Sequence, residues 1–149
     1  MNPAEIYNYK KISDLIVTSG LLNEEQLATL AGEGFELVIN LLPDEHDYAV
    51  KTEANIVQGQ GIDYHYIPVE YDKPLLDDYQ QFEAVMLAND GKKMLIHCAA
   101  NYRVSAFYAI YAVKHLNWST EQAYQHIASM LDLSEYPQWQ KFVADIFND

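Results

Sequence analysis

The chain holds one cysteine and one arginine in 149 residues. A single thiol excludes an internal disulfide and points to a reducing compartment. Positive charge is scarce as well: nine Lys and Arg stand against 22 Asp and Glu, a formal net charge of −13. A field of that sign repels nucleic acid and anionic membrane surfaces, so neither is expected as a partner. It also repels phosphorylated ligands at long range. Any anion site must therefore be local, built from fixed dipoles and a few cations; solubility alone accounts for the acidity. Six glycines and five prolines leave no low-complexity tract and no linker, and 50% hydrophobic residues favour a compact fold over disorder. No run of about 18 apolar residues occurs, and "MNPAEIYNYKKISDLIVTSG" lacks the apolar core of a leader. The expectation is one domain over residues 1–149, soluble and cytoplasmic, with a periplasmic address open if a leader was removed. His46, His65, His115 and His126 show no metal-ligand spacing, so neither a metal nor a cofactor is expected.

What is present alternates between short apolar runs and stretches of helical period. Strands are predicted over 14–19, 35–43, 62–69 and 93–97, and helices over 23–35, 47–61 and 75–93. Three more helices are predicted near 103–117, 119–132 and 135–147. Asn23 with Gln26 reads as a capping box, while Ser119 and Ser134 read as further N-caps. This alternation implies an α/β fold, a mostly parallel central sheet of about four to five strands flanked by helices. Ligands of such sheets gather at the carboxyl ends of the strands. Three of those ends are rich in chemistry: "NLLPDEHD", "PVEYDKP" and "HCAANYR".

The third carries both rare residues. Cys98 follows the last strand, and Arg103 stands near the start of a helix beginning at about Tyr102. Amides at a helix N-terminus, with the macrodipole, stabilise an anion and lower a thiol's pKa from its free value near 8.5. The same amides can cradle phosphoryl oxygens, and a guanidinium adds a planar two-pronged clamp that lysine lacks. A strand–Cys–loop–Arg–helix unit is thus suited to attack on a bound oxyanion through a covalent intermediate.

"LIHCAANYRVSA" resembles the signature of cysteine-dependent protein tyrosine and dual-specificity phosphatases. "NEEQLATLAGEGFELVINLLPDE" and "GIDYHYIPV" are similar to small bacterial phosphatase-like proteins, also found as a domain fused to beta-lactamase-like hydrolases. The likeness spans roughly residues 14–116. It implies a phosphotyrosine phosphatase-like fold and hydrolysis of a phosphomonoester. Under it Cys98 is the nucleophile and Arg103 the phosphoryl clamp. Ser105 is the hydroxyl that hydrogen-bonds the thiolate, and His97 orients the loop from behind. Ala99, Ala100, Asn101, Tyr102 and Arg103 form the phosphate-binding loop, with Tyr102 a candidate flank for a substrate ring. The resemblance sets the general acid on the loop after the third strand: Asp72 first, Glu70 second, with Asp44 of "DEHD" outside. Asp72 also reads as a plain turn residue ahead of Lys73-Pro74. The implied partners are a phosphorylated small molecule or phosphopeptide, with phosphate or sulfate bound at the loop.

Two departures from the signature stand out. Four residues, Ala99 to Tyr102, separate Cys98 from Arg103 where tyrosine phosphatases have five. Either the loop is one residue shorter, or Arg103 is turned by about 100° from the pocket and Val104 takes its register. Asn101 also replaces a glycine where positive φ is expected; Asn is the best substitute there. The four-residue spacing is shared with rhodanese-type sulfurtransferases, which carry a persulfide on cysteine. A third reading is a pseudophosphatase that binds an anion without turnover.

Overall fold

The computed structural model describes Asn2 and residues 5–148; Met1, Pro3, Ala4 and Asp149, included in the expected 1–149 domain, lie outside the described residues. One five-stranded sheet forms from β1 (Lys10–Lys11), β2 (Ile16–Ser19), β3 (Leu37–Asn40), β4 (Asp63–Tyr66) and β5 (Met94–His97). Its spatial order is β1-β2-β5-β3-β4, with β1 antiparallel to β2 and every other pairing parallel. The helices are α1 (Glu24–Leu27), α2 (Glu53–Gln58), α3 (Leu76–Ala88), α4 (Tyr102–His115), α5 (Thr120–Ala128) and α6 (Pro137–Phe147).

Both faces of the sheet are covered, and side-chain alternation divides the core. Leu37, Ile39, Met94 and Ile96 pack with α3, α4, α5 and α6 around Phe82, Phe107 and Trp139. Val17, Val38 and Leu95 pack on the other face against Leu27, Leu30 and Val57 of the α1 and α2 region. Helix α4 is the central pillar, buried continuously from Arg103 to Ala112. Because β5 lies between β2 and β3, its carboxyl end opens in the middle of the sheet edge. That is where the chain delivers Cys98.

Local chemistry explains the element ends. Asn23 and Ser119 each close a capping box, with Gln26 and Gln122 respectively. The helix expected over 23–35 is regular only over Glu24–Leu27; turns continue to Gly34, whose φ of +88° ends it. The expected strand from 14 begins at Ile16, because Ser13 Oγ accepts the amides of Leu15 and Ile16 in a turn. Ser134 is not the cap of the last helix. It lies in a 3-10 turn, Leu133–Glu135, under Asp132. Pro137 occupies the first turn of α6 and fixes the start there, the residue before a proline being barred from helical geometry. The short edge strand β1 was not anticipated.

Candidate active site

Period-two alternation decides which way the end of β5 points. His97 continues the row of Leu95 toward α2, and Cys98 continues the row of Met94 and Ile96 into the larger core. Both are wholly buried. The His97 ring meets two groups: Nε2 lies 2.5 Å from Oε2 of Glu53, and Nδ1 lies 3.2 Å from the carbonyl oxygen of Cys98.

The loop then turns through Asn101, at φ 68° and ψ 9°, into α4. This left-handed conformation suits asparagine better than other side-chain-bearing residues. The side chain also braces the loop. Its Nδ2 donates to the Asn8 carbonyl at 2.9 Å and to Thr18 Oγ1 at 3.0 Å, while its Oδ1 accepts from Ser105 Oγ at 3.3 Å. Glycine would adopt the same φ and make none of these bonds. Asn8 answers by donating from Nδ2 to the Ala100 carbonyl at 2.8 Å, and the Leu21 amide donates to the Ala99 carbonyl at 3.0 Å. Gly20 is required by proximity: a Cβ there would lie 2.7 Å from the Ala99 oxygen. The segment before β1 and the end of β2 therefore hold the loop in shape.

Arg103 is the second residue of α4 and only 5% exposed. Its Nε donates to the Val69 carbonyl at 2.9 Å, and the guanidinium carbon lies 5.0 Å from the Tyr71 ring centroid. No carboxylate among the described residues pairs with it. Of the two geometries left open by the spacing, the shorter loop is the one found. Arg103 lines a cleft of about 270 Å³ with Ala99, Ala100, Tyr102, Tyr71 and His46. Cys98 directly precedes this lining and is itself enclosed. As at any helix start, the amides of Tyr102, Arg103 and Val104 lack intrahelical acceptors. Tyr71 and Tyr102 have phenol pKa values raised by burial first and by neighbouring Tyr136 next, so both remain neutral. Tyr136 packs 5.9 Å from Tyr102 and 5.6 Å from Tyr71, completing an aromatic wall.

Other expected site residues sit less centrally. Ser105 is buried with its hydroxyl on Asn101, and no Ser105–Cys98 hydrogen bond is formed. Asp72, Glu70 and Asp44 are exposed, and none lines the cleft. Asp72 directly follows Tyr71, in a turn closed by the Lys73 amide on the Glu70 carbonyl at 3.2 Å. Trp139 Nε1 donates to the Tyr71 carbonyl at 2.8 Å and fixes this loop on α6. From "DEHD" the cleft receives the histidine and no carboxylate. His46 Nδ1 accepts the Tyr48 amide at 3.2 Å, which leaves the proton of a neutral ring on Nε2. Glu53, Asn8, Gly20 and Tyr71 escaped the sequence reading. Their only signal was weak: a glycine at the end of a strand, and an acid at the start of the helix that carries Ile56 and Val57.

The family model described as "Beta-lactamase hydrolase-like protein, phosphatase-like domain" matches residues 8–114. The crystal structure of a DUF442 protein from Shewanella putrefaciens CN-32 is 36% identical, with a TM-score of 0.85 over 95% of this chain and 89% of that one. Tk-PTP in its active form is 18% identical, with a TM-score of 0.72 over 93% of this chain and 97% of its own. A Cys→Ser form of P. aeruginosa TpbA in complex with phosphotyrosine is 16% identical, with a TM-score of 0.74 over 96% and 85% of the two chains. The last two matches show a protein tyrosine phosphatase-like fold. No curated protein matches the chain. Among the described residues no helix is long and apolar enough to cross a membrane.

Proposed function

We propose, since the chain belongs to the family of phosphatase-like domains found in beta-lactamase hydrolase-like proteins, that it hydrolyses phosphomonoesters through a phosphocysteine on Cys98. One observation carries the reading: the lone arginine is 95% buried at the cleft and meets no carboxylate among the described residues. A buried cation left without a counter-charge is costly. The Val69 carbonyl and the Tyr71 ring offset part of that cost, and a bound oxyanion would supply the rest. In a protein of charge −13, such a device is a selective place for an anion.

In the proposed cycle, Cys98 Sγ attacks phosphorus and the phosphorus–oxygen ester bond breaks. The leaving oxygen takes a proton from the general acid. Water, giving its proton back to that acid, then breaks the sulfur–phosphorus bond and releases phosphate. Arg103 and the amides from Ala99 to Arg103 hold the oxygens that carry the developing charge. Ser105 assists the departing thiolate, an assignment that requires its hydroxyl to leave Asn101 during turnover. Asp72 is assigned as the acid because it adjoins Tyr71 on the cleft wall, with Glu70, Asp44 and His46 as rivals. The aromatic wall suits an aryl phosphate, as in a phosphopeptide or a small phosphoester, and the one thiol suits a reducing compartment.

The test is hydrolysis of an aryl phosphate by the wild type and by Cys98→Ser. Turnover abolished by the substitution supports the reading, and wild-type protein without turnover overturns it. Sulfur transfer from thiosulfate to cyanide would favour a sulfurtransferase instead, and phosphate binding without either activity a pseudophosphatase. Comparison of Asp72→Asn, Glu70→Gln, Asp44→Asn and His46→Asn identifies the acid. We expect Asp72→Asn to lower kcat by about 10²–10⁴ with an ordinary alkyl leaving group and far less with an activated one.

A further inference from the structure

The amino edge of the sheet holds a second cavity, at the far end of β5 from Cys98. Ile16 and Met94, the first residues of β2 and β5, line it together with Met86 of α3, and its volume is about 360 Å³. That is room for a small organic molecule on a largely apolar bed. Helix α4 runs past both sites. Arg103 near its start lines the cleft, whereas Tyr108 and Tyr111 line this cavity, with Trp118 from the connection between α4 and α5.

The three rings are inclined to one another and do not stack. Tyr108 lies 5.9 Å from Trp118 between centroids at 72°, and 6.2 Å from Tyr111 at 45°. Tyr108 is 3% exposed and Tyr111 6%. Neither phenol, nor the Trp118 indole N–H, has a hydrogen-bond partner among the described residues. Buried phenols and indoles ordinarily find one. In this protein Tyr64, Tyr79 and Trp139 do, on Asn40, Glu83 and the Tyr71 carbonyl respectively. His126 Nε2 is the one fully enclosed orphan among the described residues, so the polar atoms of the three rings are not walled off. They open on the cavity that they line.

Charge selects the occupant. Asp90, in the turn between α3 and β5, stands at the lining without an ion pair among the described residues. Lys92 is the one cation of the lining and is already held: its Nζ donates to Asn89 Oδ1 at 2.9 Å and lies 3.6 Å from the Asp63 carboxylate. The charge left uncompensated is negative, in a chain of net charge −13. Ring faces are negative too and attract a cation, and phenol oxygens accept hydrogen bonds from an ammonium.

We propose that this cavity binds an organic ammonium ion carried on a compact apolar body, with the cation among the three rings and Asp90 as its counter-charge. The site is independent of the chemistry at Cys98, and it takes ligands of the sign opposite to those that suit Arg103.

Three probes of one size and different charge test this: 2-phenylethylamine, 2-phenylethanol and phenylacetate, which at neutral pH are cation, neutral molecule and anion. Titration is followed by the Trp118 indole signal in ¹H–¹⁵N spectra, assigned by its loss in Trp118→Phe. The amine should shift that signal saturably and bind about tenfold or more tighter than the alcohol, and the acid should bind more weakly than the alcohol. Asp90→Asn, at an exposed position, should weaken the amine by about threefold or more and leave the alcohol unchanged. A Trp118 signal unmoved by the amine up to about 20 mM, above the dissociation constant expected for so small a molecule in a fitted site, overturns the proposal. So does an alcohol or acid that binds as tightly as the amine, or full amine affinity in Asp90→Asn. Amine shifts confined to Tyr71, Tyr102 and His46 would put the cation in the cleft and overturn it as well.

Discussion

At the scale of single residues, Arg103 and Gly20 show how little freedom the site has. Arg103 divides its fork: Nε is committed to the Val69 carbonyl, and its face lies against Tyr71. Only a planar, multiply donating cation can do both and still meet an anion. Arg103→Ala should therefore weaken phosphate binding by roughly 1.5–3 kcal/mol, the worth of hydrogen bonds to a charged group. Arg103→Lys should recover only part of this loss. Isothermal titration with phosphate measures both, and full affinity in the alanine variant would mean the guanidinium is not the clamp. At Gly20, a methyl group would meet the Ala99 oxygen at 2.7 Å and Tyr7 Cδ2 at 2.9 Å. Gly20→Ala should cost about 1–3 kcal/mol in thermal or urea unfolding, as overpacking does, and should lower turnover with it. Cys98 and Arg103 could be picked out by reading, because each is unique in the chain. Glu53, Asn8 and Gly20 could not: they reach the loop across 44, 92 and about 80 residues, separations at which single-chain patterns carry no information.

At the scale of elements, caps and breakers were the most readable features, because their chemistry is local. The capping box lies where Asn23 and Gln26 predicted it, and the N-cap expected at Ser119 proves to close a second box with Gln122. Ser119→Ala should destabilise the protein by about 1 kcal/mol through loss of the Gln122 amide bond, seen as a lower urea midpoint at unchanged slope. Ser134 misled because Asp132 already bonds its amide and hydroxyl in a 3-10 turn, leaving Pro137 to open α6. The first helix is shorter than its periodicity suggested, since Leu30 is buried from a chain of turns as effectively as Leu27 is from the helix. Strand β1 has two lysines and no apolar pattern, so nothing in "KK" announces pairing. Its partner β2 recruits it only because an edge amide row is open there.

At the scale of the whole molecule, burial of polar groups ties folding to pH. His126 on α5 is 6% exposed and receives the Lys10 ammonium on Nδ1 at 2.8 Å. Burial first, and the Lys10 charge second, lower its pKa from 6.5 to about 4. The unfolded chain therefore binds the histidine proton at a higher pH than the folded one. Stability from this group is complete above pH 6.5 and is lost as the pH falls toward about 4, by up to about 3 kcal/mol. Lys10, lowered by burial, stays charged across that window and adds no slope. Urea unfolding at stepped pH should show the loss in wild type, and His126→Gln should flatten it; an unchanged slope would place the acid lability elsewhere. The α/β architecture was legible as a whole because three apolar strands, one alternating strand and their intervening helices carry distinct periods.

The opening stretch of the chain belongs to this larger scale. Residues 7–11 border the sheet with β1, and through Tyr7 and Asn8 they also grip the loop that bears the thiol. Trimming the protein to begin at Ile16 would spare β2 through β5 and all six helices, yet leave that turn slack. Amino-terminal fusions or cleavages are thus a chemical intervention, to be judged by cysteine reactivity as well as by yield.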